Sequence, residues 1–435
     1  MGSGLVEELN FTRIEQIVRK RVLGLAARVV EQRLNTDHSD YAGPVTHCPE
    51  CHQKSARYAG RRTRNITRVL GDLRIKRAYY HCSSCAGGFC PRDQAIGLDR
   101  GSLSQGILQM VGLVGALVSF EEGQELLATL AGVTVTAKQV ERSAEALGRE
   151  MAIDECSKVS APATDLIAPT LYLGIDGTGV PVRKQEVVGR KGKQPDGTAK
   201  TREAKLCVLW SAEGRDEQGN PVRDPGSVTY SASIESAARR PGDQQPPPFD
   251  LRVIREATRR GFLTASRQVI IGDGAAWIWK LAEEHFPDAI QILDRFHAKE
   301  HINDVAVSIY GHDSDLARNW RKQRYKELDD GDIAAVIRAL REHANTNEEA
   351  RKCLGYVRNN HKRMRYKQFR EQGLCTSSGV VEAGCKTVVG TRLKRPGMHW
   401  TVAGANAIIC LRCYKLSGYF DKFWKQRAKN TRPAA

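Results

Sequence analysis

Three carboxylates far apart in the chain, Asp176, Asp273 and Glu382, have settings suited to metal-dependent phosphodiester chemistry. Asp176 lies in LYLGIDGTGVPV, Asp273 in VIIGDGAAW and Glu382 in SSGVVEAGCKTVVGTRLKR. The first two close apolar, strand-like runs, and the glycine after each permits close backbone approach. The third falls in an amphipathic helical stretch. Two strand ends and one helix can bring three acids together in space. Carboxylate oxygens suit hard divalent cations, and two such ions can activate a nucleophile and stabilise a leaving oxygen. A lone Asp at a strand end is ordinarily a turn residue, and a helix acid is ordinarily solvated. Two Asp-Gly strand ends are the less ordinary coincidence. Thr376, Ser377 or Ser378 would cap the helix of Glu382. Lys386, one turn on, would share its face and reach a phosphate oxygen.

A second constellation is Asp294 and His297 in ILDRFHAKEH. An Asp-x-x-His just past an apolar run orients neighbouring elements or contacts the scissile strand; its plainer reading is a helix N-cap followed by a histidine. Basic residues gather behind the third acid, with Arg392, Lys394 and Arg395 joining Lys386. Beside carboxylates such a row would hold a DNA backbone. Trp320 and Trp400 are candidates for stacking on unpaired bases, although large aromatics are more often core.

The runs LYLGIDGTGVPV, KLCVLWSAE, VTYSASIE, QVIIGDGAA and AIQILDRF, with helices over about 249–261 and 275–285, must position these groups. Three strands, a helix, a strand, a helix and a strand make an α/β sheet in the order of the ribonuclease H plan. Residues 298–371 read as an almost wholly helical insertion before the helix of Glu382. A Lys/Gly-rich loop, RKQEVVGRKGKQPDGTAKTREA, separates the first two strands.

Ahead of the sheet stand two C-x-x-C knuckles, Cys48/Cys51 and Cys82/Cys85, around ITRVLGDLRIKRAYY. Four thiolates complete a tetrahedral zinc and leave no open position, so a zinc there is structural. Gly71-Asp72 predicts the hairpin turn between the knuckles. Then EEGQELLATLAGVTVTAKQVERSAEALGREM reads as helix, turn near Gly132, and a second helix from about Thr136. Such a helix-turn-helix-like pair would present Lys138, Gln139, Glu141 and Arg142 to a major groove; a plain helical hairpin fits the same pattern. Earlier still, Ile14, Ile17, Val18, Val22, Leu25 and Val29 mark a helix that packs or self-associates.

The expected organisation is an N-terminal amphipathic helix over 1–40, a zinc ribbon over 41–97 and a helix-turn-helix-like DNA-binding region over 98–155. A linker over 156–168 follows. The ribonuclease-H-like core occupies 169–297, is interrupted by the helical insertion over 298–371, and resumes over 372–435 with the Glu helix and C-terminal helices. At 435 residues and about 150 per domain, some three domains are expected. The 67 Lys and Arg against 50 Asp and Glu leave a net charge of +17, which makes a polyanion the leading partner. The apolar run Ile107–Val118 is too short for a bilayer, which needs about 20 residues, and the N-terminus lacks a secretory pattern. A cytoplasmic, nucleoid-associated protein is expected, and in that reducing setting clustered cysteines favour metal over disulfides.

YLGIDGTGVPV, the DRFHA box and SSGVVEAGCKTVVGTRLKRPGMHW together resemble the DDE transposases of bacterial insertion sequences, above all the ISKra-type group, distantly Mutator-like. The resemblance runs from the C-x-x-C ribbon to Cys410–Trp424, and no departure is visible at the three acids. It implies a ribonuclease-H-like core with Asp176, Asp273 and Glu382 as the triad holding two magnesium or manganese ions. Asp294 and His297 match the Asp/Cys-x-x-His box of the wider group. The implied activity is DNA cleavage and strand transfer; the implied partners are double-stranded terminal repeats and target DNA, bound by a homo-oligomer. The residues also leave open a zinc- and helix-turn-helix-containing regulator without catalysis, and a nuclease without strand transfer.

Overall fold

The computed structural model describes residues 10–98, 103–157, 162, 167–192, 194–239 and 242–430. Residues 1–9 of the expected N-terminal segment, most of the expected linker, and positions 240 and 241 in the segment RRPGDQQPPPFD lie outside the described residues. Two compact units result: Met1–Leu147 with Tyr419–Ala435, and Gly148–Gly418.

In the first unit, helix α1 (Phe11–Thr36) starts at Asn10, whose side chain accepts from the Arg13 amide. A four-stranded sheet follows in the order β1 (Val45–Thr46), β2 (Ala56–Arg68), β3 (Gly71–Cys82) and β4 (Gly88–Phe89), every pairing antiparallel. Arg68 pairs with Gly71, so the hairpin turns at Val69-Leu70 and not at the expected Gly71-Asp72. The positive φ of Gly71, 112°, is what lets the return strand begin so soon. Ile66, Leu73 and Ile75 form a small core with Ala27, Val30 and Leu34 of α1. This corrects the expected packing stripe of α1. The hairpin takes the flank around the small Ala27, which allows close approach, and Val18, Val22, Leu25 and Val29 are left 52–58% exposed.

Short α2 (Pro91–Ala95), α3 (Gln105–Leu117) and α4 (Phe120–Leu126) follow. Ser119 and Glu122 form a reciprocal capping box at the start of α4. A π-turn, Leu127–Ala131, prolongs α4 to Gly132, whose φ of 67° ends it. Helix α5 (Ala137–Ser157) comes next. The division between the units falls within α5, at Leu147/Gly148, whereas the sequence suggested a break over 156–168; Tyr419–Ala435 groups with the first unit.

The second unit is a mixed α/β structure. Its five-stranded sheet comprises β5 (Thr170–Pro181), β6 (Thr201–Ser211), β9 (Thr229–Ser233), β10 (Arg267–Gly272) and β11 (Ile290–Leu293). A separate two-stranded ribbon is formed by β7 (Gly214–Arg215) and β8 (Pro221–Val222). The sheet order is β11-β10-β5-β6-β9, with β5, β10 and β11 parallel and the β5-β6-β9 pairings antiparallel. Leu171 to Ile175 are all buried, as expected of a central strand covered on both faces. Helix α6 (Pro248–Arg259) covers one face, where Arg252 donates to Ser231, in register with Cys207. Helix α7 (Ala276–His285) connects β10 to β11.

After β11 come α8 (Arg295–Tyr310), α9 (Asp315–Asp330), α10 (Ile333–His343), α11 (Glu348–Asn360) and α12 (Tyr366–Glu371). Then α13 (Gly379–Gly384) leads into a π-turn, Cys385–Gly390, a short α14 (Thr391–Leu393) and α15 (Val402–Leu416). Among the described residues no helix is long and apolar enough to cross a membrane.

Candidate active site and metal centre

Gly272 of β10 pairs with Ile175 of β5 on one side and with Leu293 of β11 on the other. Asp176, Asp273 and Asp294 each follow one of these three residues, so three acids stand level across adjacent parallel strands, whose spacing is about 4.8 Å. The Asp294 amide donates to the Gly272 carbonyl at 2.8 Å, which holds the level. Contrary to expectation, Asp176 does not end its strand: β5 continues to Pro181. Only β6 accompanies it there, because β10 stops at Gly272.

Residues 174, 176 and 178 share one face of β5 by strand alternation. Gly174 is where helix α13 crosses that face, and a Cβ there would meet Val381 Cγ2 at 2.0 Å. Gly384, one turn on, lies against Leu206, Val208 and Tyr230, where a Cβ would come within 3.1 Å of each. Two glycines, one on the strand and one on the helix, thus allow α13 to lie close on the sheet. The π-turn that continues α13 sets Cys385 over Asp176. Its thiol donates to Asp176 Oδ2 at 3.4 Å, while the Gly177 amide donates to Oδ1 at 2.6 Å. Beyond it, Lys394 Nζ donates to the Thr178 hydroxyl.

Burial pushes Asp176 above the usual carboxylate range, and the Asp273 carboxylate adds to the rise. Burial likewise raises Asp294, in spite of amides donated by Phe296 and Ser378. His297 feels burial, which pulls it down, but the carboxylates of Asp294, Glu300 and Asp273 outweigh it and leave it above its ordinary value. Its Nδ1 lies 2.9 Å from Glu300.

Glu382 is placed differently. It sits on the exposed side of α13, 61% exposed, with Lys386 Nζ 2.6 Å from its Oε1. That bond holds it below its usual range, and the field of His297 adds to the effect. The structure therefore gathers Asp176, Asp273, Asp294 and His297 into one corner, with Glu382 on the helix bordering it. Ser378 does not cap that helix with its side chain; its hydroxyl and amide both go to Asp294 Oδ2, the amide at 3.0 Å. Asp294 is the N-cap of α8 through its other oxygen, which accepts from the Phe296 amide at 2.7 Å. One carboxylate thereby ties the end of β11 to the entry of α13.

Several expected contacts take other roles. Arg392 is fully buried, its guanidinium 5.2 Å from the Trp400 ring, so it is a core residue and cannot meet a DNA backbone. Trp400 is itself buried and donates to the Leu393 carbonyl at 3.1 Å. Trp320 packs among Tyr310 and His343. Lys386 and Lys394 are exposed and Arg395 is half-buried. In the first unit Lys138, Gln139 and Arg142 are exposed on α5. Lys138 pairs with Glu141, and Gln139 accepts from the Thr136 amide at 2.9 Å, closing the helix start. His301, one turn after His297, packs against Tyr356 with ring centres 4.2 Å apart and planes tilted at 44°.

Sequence reasoning missed three contributors. Cys385 lies three residues after Glu382, a helical spacing that was legible; Thr178 shares the alternation of Asp176. Tyr356, whose hydroxyl donates to the Asp273 carbonyl at 2.7 Å, comes from inside the insertion, and no local pattern points to it.

In the first unit the sulfurs of Cys48, Cys51, Cys82 and Cys85 all lie within 4.8 Å of one another. Cys48 and Cys85 are 3.7 Å apart and Cys51 and Cys82 3.6 Å. A tetrahedron with zinc–sulfur bonds of about 2.3 Å has edges of about 3.8 Å, so the four sulfurs can hold a zinc ion. The Ser55 hydroxyl, with help from backbone amides, draws the Cys82 thiol down to about 6, toward the ligating thiolate. Among the described residues this is the one group of three or more potential ligands so closely gathered. The acids do not close up in the same way.

The model of an uncharacterised protein family, UPF0236, matches residues 262–427. These run from the end of α6 past α15 and include Asp273, Asp294, His297 and Glu382. A Streptococcus gallolyticus protein described as "UPF0236 protein in vanSb 3'region" is 22% identical over 377 residues, covering 83% of this chain and 75% of that protein. Among solved structures, the Drosophila P element transposase strand transfer complex aligns with 79% of this chain and 84% of its own. The identity is 12% and the TM-score 0.27, too loose a likeness to carry an argument.

Proposed function

We propose that this chain is a transposase that cuts and joins DNA at a site formed by Asp176, Asp273 and Glu382. The observation that carries the reading is the level placement of Asp176 and Asp273 on adjacent parallel strands, under a helix bearing Glu382. The sheet order supports it: three antiparallel strands flanked by two parallel ones, in the sequence 3-2-1-4-5, is the order of a ribonuclease-H-like core.

The donor set fits hard divalent cations. Two carboxylates share one corner, and Asp176 is raised first by burial and further by the charge of Asp273, a strain that a bound cation relieves. Asp176 and Asp273 would hold the ions, with Glu382 completing one site on turning from Lys386. Bound there, magnesium or manganese supplies Lewis-acid activation of the attacking water or 3′-hydroxyl and charge neutralisation on the leaving oxygen. The chain's own groups do the rest. Cys385 and Gly177 fix the plane of the Asp176 carboxylate. Asp294 keeps α13 docked through Ser378. Lys394, held at Thr178 on the same face, and Lys386, once parted from Glu382, are the cations nearest a bound phosphate. Cleavage and joining are both in-line displacements at phosphorus, so one site serves both. The four-cysteine ribbon and the α4–α5 pair would grip the element ends, and α1 and the ends together would assemble a homo-oligomer.

The test is cleavage of a plasmid carrying this gene with its flanking DNA, by purified full-length chain in manganese. Nicks at the element borders, and their loss in Asp273→Asn, are expected. Cleavage retained by that variant would remove the triad assignment. Cuts without joined products would reduce the activity to that of a nuclease.

A further inference from the structure

Beyond Gly177, β5 and β6 leave the sheet as a two-stranded arm. Pairing of β5 with β10 ends at Ile175, but its pairing with β6 continues to Pro181 opposite Thr201. Six residues past Ile175, at about 3.3 Å each, carry β5 some 20 Å beyond the end of β10, the last four of them without β9 alongside β6. Residues 183–192 and 194–200 close the arm. Arg183, Lys184, Arg190, Lys191 and Lys200 are all exposed, and none has a carboxylate within 4.0 Å among the described residues. Both acids of the loop accept from backbone amides, and their charges offset Lys200 and Arg202 only in part. Glu186 accepts from the Val402 amide at 3.1 Å, and Asp196 closes the tip by accepting from the Thr198 amide at 3.0 Å.

The arm is built and anchored. Its base is stitched to the segment after α14 by Arg183 N to Trp400 O at 2.9 Å and by Trp400 N to Pro181 O at 3.1 Å. The Lys191–Thr198 bridge continues the ladder near the tip. Its cations crowd one another. Burial, and after it the charge of Arg190, hold Arg202 below its ordinary value against the opposing charge of Glu186. An excess of like charge on an ordered hairpin destabilises it unless a polyanion meets it. Residues 183–200 contain no Phe, Tyr or Trp, and so no platform for an unpaired base. That composition suits the sugar–phosphate backbone of a duplex.

We infer that the β5–β6 arm is a duplex-DNA contact surface, in which Lys184, Arg190, Lys191 and Lys200 bind backbone phosphates. The inference rests on the reading of Asp176 and Asp273 only for its position. At about 3.4 Å per phosphate along a strand, the arm reaches roughly six nucleotides from the bond held at Asp176.

The test compares full-length protein with the Lys184→Ala, Arg190→Ala, Lys191→Ala, Lys200→Ala variant on a 40-base-pair duplex of arbitrary sequence, titrated over a range of salt. Circular dichroism of both proteins monitors the fold. Four lost contacts should flatten the slope of log affinity against log salt by about 3–4, and weaken binding at least tenfold at low salt. An unchanged slope in a folded variant overturns the inference. So does a loss confined to a single-stranded probe, which would mark a single-strand groove. Wild-type protein that binds through the arm but never cuts would end the transposase reading and leave this one standing.

Discussion

Cys48, Cys51, Cys82 and Cys85 hang from the two ends of one hairpin, whereas Asp176, Asp273 and Glu382 come from two strands and a helix more than two hundred residues apart at their extremes. The sulfurs are already at the spacing of a zinc tetrahedron. The acids are only partly convergent: two stand side by side and the third is held by Lys386. The difference is the one expected from what each metal would do under the proposed function. A structural zinc is part of the fold, so its ligands are set by local pairing and have no other task. A catalytic site must admit a substrate, and its last ligand can remain on a mobile, solvent-facing bond until DNA arrives.

The sharpest way to break the comparison is at the cysteines. Cys82→Ser, or chelation of the wild type, should abolish zinc binding worth on the order of 10 kcal/mol and open the hairpin of the first unit. Limited proteolysis should then cut between residues 45 and 90 and spare Gly148–Gly418. Resistance there would mean that the hairpin folds on its apolar side alone, through Ile66, Leu73 and Ile75.

A smaller but clear effect is expected at Gly174. Alanine would place its Cβ 2.0 Å from Val381 Cγ2 and 2.9 Å from the Trp210 ring. Overpacking of this kind costs about 1–3 kcal/mol, and the strain would lift α13 from the sheet. Thermal melting should fall by several degrees, and cleavage should fall with it. A variant that melts like wild type would show that the helix already stands off the strand.

The smallest effect has the opposite sign. Because burial raises Asp176 above its unfolded value, its ionised form destabilises the fold above the raised pKa. The penalty fades as pH falls through that value toward about 3.9. Asp176→Asn should therefore melt above wild type at pH 7 without divalent ions, and the gap should close by about pH 4. Manganese should stabilise the wild type and not the variant. Equal melting at every pH would mean that Asp176 is solvated and that its corner is open.

The sheet was legible because its strands are short apolar runs, and alternation is a local property; of the two Asp-Gly pairs only Asp273-Gly274 follows a strand end. The Asp-x-x-His box was legible as a helix start, and Asp294 is the N-cap of α8. Its second bond to Ser378 spans the whole insertion and leaves no local trace. Arg392 was misread for a similar reason. Nothing in TRLKRPGMHW says which cation turns inward, and Trp400 decides it by offering its ring. On α1 two apolar stripes compete, and only the hairpin, through Ala27, chooses between them. Which strand continues as an arm depends on where its neighbours stop, and that is set by pairing rather than by its own residues.

The clasp made by Asp294 has an evolutionary consequence. Helices α8 to α12 leave the sheet and return to it at one point, closed by Asp294 to Ser378 and by the Arg295 amide to the Thr376 carbonyl at 3.0 Å. Once a loop is pinned at its neck, its length matters little: each doubling adds only about 0.6 kcal/mol of closure entropy. A segment of this kind can lengthen, shrink or be exchanged between lineages while the strands beneath keep their register. Descendants of one ancestral sheet could thus diverge mainly in what they carry between Asp294 and Ser378.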